Sequence, residues 1–262
     1  MIDVNAWIGD FPFRHVPRTD AASLAREVER AGLAGAWVGH LPSAFWRDPT
    51  PGNALLYEAL APFPSLRPAP SVRPDWPRWE RELQSAVDRG APALRAYPVH
   101  WGMGPGDASL ARLVGACGEA GVAVVLTVRF EDLRQRHALD VAADLSAAHV
   151  RALARLRGGT RPAPLVVAHA GRELIEEIAW ALTEEERSRV WFDFSCVWGP
   201  PEDHLATLFR TLGPARFVYG TGWPLRLAEA PAANLALLPD ALRDARLTDA
   251  ASLVAPARAA HT

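Results

Sequence analysis

The chain has 262 residues, 49% hydrophobic and 22% charged, which is long for an average domain but ordinary for one α/β barrel with a large apolar core. A formal charge of −2 excludes the basic footprint of a nucleic-acid or anionic-membrane binder, and no apolar run reaches the length of a bilayer span. All 28 basic residues are arginine, which excludes a Schiff-base lysine, a lysine-bound pyridoxal phosphate and a carbamylated lysine bridging two metals.

Met1 leads directly into Ile2-Asp3-Val4, with no basic-then-apolar leader, so a cytoplasmic location is the expectation. Short β-branched or apolar runs predict strands over 2–6, 36–39, 69–72, 93–97, 122–128, 165–169, 190–194 and 217–219. Helical patterns fall between and after them, over 21–31, 53–60, 76–89, 109–120, 145–156, 172–182, 204–212 and 235–244. In the first of these Leu24, Val28 and Ala31 share one face, and Arg26, Glu27, Glu29 and Arg30 fall away from it. Asp75 and Asp107 stand where N-caps of the third and fourth helices are expected. The proline-rich stretches 41–51 and 62–77 read as loops, and the tail 256–262 is expected to fray. Cys117 and Cys196 have neither disulfide-framework nor metal-site spacing and are expected as free thiols.

Parallel strands need crossover connections, so eight strand–helix units specify a parallel sheet covered by helices, and eight strands close a barrel. The reading is one (β/α)8 TIM barrel over 1–262. An open doubly wound sheet would carry a glycine-rich loop after the first strand, and Asn5-Ala6-Trp7-Ile8-Gly9 is not one.

Active sites of such barrels are built at the C-terminal ends of the strands. Those ends carry Asn5 and Trp7, His40, Arg73, Arg95 with Tyr97 and His100, Thr127 and Arg129, His169, Asp193 with Ser195, and Thr221 with Trp223. The set is aromatic and cationic, with few carboxylates. Trp7, Trp101, Trp198 and Trp223 would either line a ligand pocket or plug the mouth.

Several segments resemble the amidohydrolase-related branch of the amidohydrolase superfamily. Asp3-Val4-Asn5-Ala6-Trp7 stands where that family carries Asp-x-His-x-His, and Ala93-Leu94-Arg95-Ala96-Tyr97-Pro98 is similar to its fourth strand. Val167-Ala168-His169-Ala170-Gly171 resembles the sixth-strand His-x-Gly, and Trp191-Phe192-Asp193-Phe194-Ser195 the seventh strand. Tyr219-Gly220-Thr221-Gly222-Trp223-Pro224 resembles the eighth-strand Gly-Ser/Thr-Asp-Trp-Pro. Against that pattern, Asn5 and Trp7 replace the first-strand histidines, Thr127 stands at the fifth-strand position and Gly222 replaces the eighth-strand aspartate. Zinc needs about three protein ligands and an indole N–H only donates, so no metal and no other cofactor is expected.

The branch it resembles includes metal-free lactonases, so the resemblance implies, if the chain is active, a metal-independent, lactonase-like hydrolase acting on a small carboxylate-bearing substrate. His169 and Asp193 are the candidate catalytic groups, with Arg95 and Arg129 holding a substrate carboxylate and Tyr97, His100, Asn5, Trp7 and Trp223 lining the pocket. Two other readings stay open: a non-catalytic barrel that binds a small anionic or aromatic ligand or a partner protein, and a metal-free isomerase or cyclase. Ser195 and Cys196 lack both a Gly-x-Ser-x-Gly context and an adjacent base. Nothing in the sequence requires or excludes a homo-oligomer.

Overall fold

The computed structural model describes residues 1–156 and 161–254; the tail expected to fray over 256–262 lies outside them. The strands are β1 (Ile2–Ile8), β2 (Gly35–His40), β3 (Leu66–Pro68), β4 (Ala93–Ala96), β5 (Ala123–Thr127), β6 (Leu165–Ala168) and β7 (Val190–Phe192). They form two regular parallel sheets, β1-β2-β3 and β4-β5-β6-β7. Single bridges and hydrogen bonds close these into a (β/α)8 barrel. Ser71 pairs with Arg95 to join the end of the β3 arm to β4, and Phe192 pairs with Phe217 in the eighth-strand segment, residues 217–223. That segment returns to β1 through Val4 N to Tyr219 O (2.9 Å), Gly222 N to Asn5 O (2.8 Å) and Trp7 N to Trp223 O (2.9 Å).

The helices are α1 (Ala21–Arg30), α2 (Thr50–Leu60), α3 (Trp79–Asp88), α4 (Ala108–Ala120), α5 (Ala147–Ala154), α6 (Arg172–Trp180), α7 (Glu184–Arg187), α8 (His204–Leu212) and α9 (Ala230–Ala236). Asp20 caps α1 by accepting from Ser23 N, and Leu24 and Val28 are buried as their spacing requires. Ala31, expected with them, is exposed at the C-cap. Asp107 caps α4 by accepting from Ser109 N and Leu110 N.

Three differences from expectation trace to proline. The residue before a proline is pushed out of the α region, so Pro77 prevents a helix start at Trp76. The helix begins three residues later, Arg78 takes the N-cap at φ 68°, and Asp75 pairs with Arg73 Nε at 2.7 Å instead of capping. Strand β3 lies at Leu66–Pro68 rather than 69–72, because Pro70 has no N–H for a ladder; Ala69 N still bonds Val38 O (2.7 Å), and the bridge to β4 falls at Ser71. The helix expected over 235–244 ends at Ala236, and Pro239 introduces a short 3-10 turn at Asp240–Leu242.

Alternate strand residues face the barrel axis. Trp37, Ala93, Ala123, Val125, Val166, Ala168 and Val218 pack together inside, closed from below by Ala250 and Leu253. The intervening Val38, Leu94, Val124, Leu126, Val167 and Phe192 pack outward under the helices. No helix among the described residues is long and apolar enough to cross a membrane.

Candidate active site

Toward its C-terminal end the barrel interior changes from apolar to polar. Asn5 and Trp7 turn inward from β1, while Ala6 and Ile8 pack against the helices. Asn5 is held at both ends of its amide: Oδ1 accepts from Arg95 Nη1 (3.1 Å) and Nδ2 donates to Asp193 Oδ2 (2.6 Å). Asp193 also accepts from His169 N (2.9 Å) and Ser195 Oγ (2.9 Å). Burial pushes its carboxyl up to about 6, against these stabilising bonds. Gly220 makes the room, since a Cβ there would come within 2.7 Å of Asp193 Oδ2. Asp3 beneath accepts from Asn5 N, Thr221 N and Thr221 Oγ1, and burial raises it too.

Arg95 was expected to hold a substrate carboxylate. Its guanidinium is instead fully buried, with Nη2 donating to the carbonyls of Val4, Ala6 and Trp37 at 3.1–3.2 Å and its carbon 4.6 Å from the Trp7 ring centre. With both Nη groups turned to the backbone and to Asn5, and Nε buried without a partner, it is part of the barrel core. Asn5, likewise expected to contact substrate, has both amide atoms engaged.

His169 ends β6 in a left-handed conformation, φ 61°, that few non-glycine residues adopt. Its N–H bond to Asp193 secures the turn. The ring Nδ1 lies 2.7 Å from the Arg129 carbonyl. A carbonyl only accepts, so Nδ1 carries the proton and Nε2 keeps its lone pair. Nε2 is buried and has no hydrogen-bond partner. It faces Gly222, where a Cβ would lie 2.6 Å from Nε2 and 3.1 Å from Arg226 Cδ. The imidazole and the Arg226 methylenes therefore close tightly over Gly222. Burial, reinforced by Arg226, holds His169 well below the ordinary histidine pKa, so the ring is neutral at pH 7. Asp193 meets the histidine backbone and not its ring, so the two do not form a dyad.

The mouth above is filled by an aromatic cluster centred on Phe130. Its ring lies 5.8 Å from Trp7, 5.5 Å from Tyr97, 5.2 Å from His100 and 5.0 Å from Phe45. Tyr97 is fully buried in this plug, edge-on to Trp101, and its hydroxyl has no partner. His100 sits 3.6 Å from Asp140, and burial lowers its pKa. Arg129 is half-buried with Nε 3.2 Å from Asp144, near enough to the mouth for its carbonyl to orient His169. Trp223, expected in the pocket, packs with Ala6, Ile8, Leu24 and Val38 on the helix side. Trp198 is 56% exposed and belongs to no cluster. Thr127 faces inward with its hydroxyl unpartnered. Cys117 and Cys196 are free thiols; burial holds Cys196 up near 12, and Ser195 is committed to Asp193, so neither acts as a nucleophile.

Two residues at the site escaped the sequence reading. Phe130 lies three residues past Thr127, the last inward position of β5, and aromatic character was its one signal. Arg226 lies four residues past Gly222 and donates its N–H to the Gly222 carbonyl, a turn that only the eighth-strand motif hints at.

The resemblance implies a divalent metal, and these donors do not fit one. Trp7 offers only an N–H, Asn5 and Asp193 are engaged with each other, Arg95, His169 N and Ser195, Gly222 has no side chain, and two guanidinium groups stand close by. Among the described residues no three His, Cys, Asp or Glu side chains gather as a ligand set.

The family model described as amidohydrolase matches residues 48–252, and the chain belongs to that family. The match begins after β1, so Asn5 and Trp7 lie outside it. No curated protein matches the sequence. Among solved structures, a putative amidohydrolase from Staphylococcus aureus is similar at 11% identity and TM-score 0.70, covering 97% of this chain and 98% of that one. A dihydroxybenzoic acid decarboxylase from Polaromonas sp. JS666, with bound manganese and the inhibitor 2-nitroresorcinol, is similar at 13% identity and TM-score 0.66, covering 92% of each chain. A probable 2-pyrone-4,6-dicarboxylic acid hydrolase from Acinetobacter baumannii, with citric acid bound, is similar at 12% identity and TM-score 0.57, covering 86% and 84%. At these identities the likeness shows the shared barrel.

Proposed function

We propose that this amidohydrolase-family barrel is a metal-independent hydrolase that opens a small carboxylate-bearing ester or lactone at His169. The single observation carrying this reading is the buried, unpartnered Nε2 lone pair, fixed in its tautomer by the Arg129 carbonyl and packed at Gly222 beneath the Arg226 side chain.

Once the Arg226 side chain moves aside, Nε2 is the basic nitrogen at Gly222 placed to take a proton from water. The water oxygen bonds to the substrate carbonyl carbon, and its proton passes to Nε2. The Arg226 guanidinium holds the negative oxygen of the tetrahedral species. Collapse breaks the bond to the ester oxygen, which takes the proton back from Nε2 and leaves as an alcohol, with a carboxylic acid as the other product. A positive rim of Arg226 and Arg129 favours substrates that already carry a carboxylate. Among the described residues Arg226 has no carboxylate partner, whereas Arg129 shares Asp144. Arg226 is the half-buried side chain over Nε2, and entry of substrate requires it to swing aside.

A second reading, ligand binding without turnover, is favoured by one observation: Asp193, the nearest carboxylate, faces three donors and none of its oxygens is directed to Nε2. A panel of lactones and aryl esters separates the two. Turnover by chelator-treated protein that falls at least 100-fold in His169→Asn supports the hydrolase. Saturable binding of the same carboxylates with no turnover would replace it with the binder.

A further inference from the structure

We propose that Arg95 is the permanent internal cation of this barrel, tying β1 and β2 to β4 from inside the core, so that the fold needs no metal. This holds whether or not His169 catalyses.

Strand β1 pairs irregularly with β2 between Asp3 and Ala6, so the ladder is broken where the strand carries Val4 and Asn5. Backbone carbonyls aimed into a dry interior need donors, and a buried cation supplies them. Arg95 provides that cation from β4, across the barrel. A single nitrogen, Nη2, meets the carbonyls of Val4 and Ala6 on β1 and of Trp37 on β2, and Nη1 meets the Asn5 side chain. Three strands are thus tied to one positive group, by oxygen ligands of the kind a hard metal ion would gather. The Trp7 ring covers the guanidinium face at 4.6 Å, a cation–π contact strengthened by desolvation.

The surroundings are shaped to this side chain. A Cβ on Gly39 would fall 2.6 Å from both Cδ and Nε of Arg95 and 2.8 Å from Trp7 Cδ1, so only glycine leaves the channel open. The negative side is supplied by Asp3 and Asp193, both buried and both acting on Arg95 electrostatically. Asn5 transmits the contact: it accepts from Arg95 and donates to Asp193, whose other oxygen holds the His169 N–H. Positions 5 and 7, where metal-bound relatives place first-strand histidines, are here the polar and aromatic walls of the guanidinium site. A guanidinium also differs from a metal in being covalently attached and always charged, so its site cannot empty.

The test is thermal unfolding. Wild-type protein is measured as purified, after exhaustive chelation, and after adding zinc or manganese, alongside Arg95→Met, Arg95→Lys and Gly39→Ala. The expected result is a wild-type Tm that moves by less than about 2 °C across the three treatments, and a fall of about 10 °C in Arg95→Met that added metal does not reverse. Arg95→Lys should lie between, keeping the charge without the fork. If Arg95→Met does not fold, Gly39→Ala decides: a fall of at least about 5 °C supports the proposal, and an unchanged Tm overturns it. A wild-type Tm that drops on chelation and returns with zinc, or an Arg95→Met variant as stable as wild type, also overturns it.

Discussion

The unshared pair of His169 Nε2 points at Gly222, and a methyl carbon placed there would stand 2.6 Å from that nitrogen. Gly222 also has φ 73°, which a side chain would strain. Gly222→Ala should therefore lower stability by about 1–3 kcal/mol. It should also abolish binding at this glycine while leaving the secondary structure intact. Urea unfolding and circular dichroism check both. Unaltered ligand affinity in this variant would place the site elsewhere.

Arg226 packs over the same glycine from the solvent side. Arg226→Ala should reduce kcat/KM by about 100-fold, in keeping with loss of one oxyanion-holding group. A half-buried side chain without an ion pair contributes little to stability, so Tm should stay nearly constant. Steady-state kinetics on a carboxylate-bearing ester and on its neutral analogue make the check, with the smaller loss expected for the neutral compound.

Asp193 faces three donors, from Asn5, His169 and Ser195. In Asp193→Asn one carboxylate oxygen becomes an NH2 group that cannot accept. At least one buried donor loses its partner, at a cost of about 1–3 kcal/mol. Because His169 N is among the three, His169 ring resonances in the NMR spectrum should shift although the substitution does not touch the ring. Identical histidine spectra in the two proteins would sever the link drawn between Asp193 and the His169 turn.

The pH dependence of stability follows from buried groups acting in opposite directions. His169 is held well below 6.5 and His40 near 4, both chiefly by burial. As pH falls below about 6.5 the unfolded chain binds protons that the native histidines refuse, so stability present at pH 7 is lost toward acid. Asp193, raised from 3.8 to about 6, does the reverse. Between about 6 and 4 the native carboxyl takes up a proton before the unfolded one, which stabilises toward acid. Removing Asp193 should therefore steepen the acid loss over pH 6 to 4, by up to about 1.4 kcal/mol per pH unit, and His40→Asn should make it shallower. Urea titrations at pH 4, 5, 6 and 7 give the slopes. Turnover should stay flat from pH 8 to below 6.5, because the neutral ring is the active form throughout.

Most of the barrel was legible because its strands are short apolar runs with turn signals at each end, as in Ala123–Thr127 and Leu165–Ala168. Proline hid what was not: Pro70 displaced the third strand, and Pro77 the start of α3. The site was legible in its positions and misread in its contacts. Arg95 ends a strand at the catalytic face, so a substrate role was the natural reading. What decides its role is the irregularity in β1 that turns carbonyls toward it, and no local pattern announces that. Asn5 and Asp193 meet across 188 positions of sequence, beyond any periodicity. Gly222 read as the loss of an aspartate, whereas the fold packs it against His169 Nε2, where a Cβ would stand 2.6 Å away.

The most direct test of a hydrolytic site that works without metal is elemental analysis of protein purified without chelator, paired with ester turnover by the same sample. The account predicts far less than one equivalent of zinc, manganese or iron per chain, with turnover that chelation leaves unchanged and His169→Asn removes. One tightly bound equivalent of metal, with activity lost on its removal and restored on its return, would contradict it.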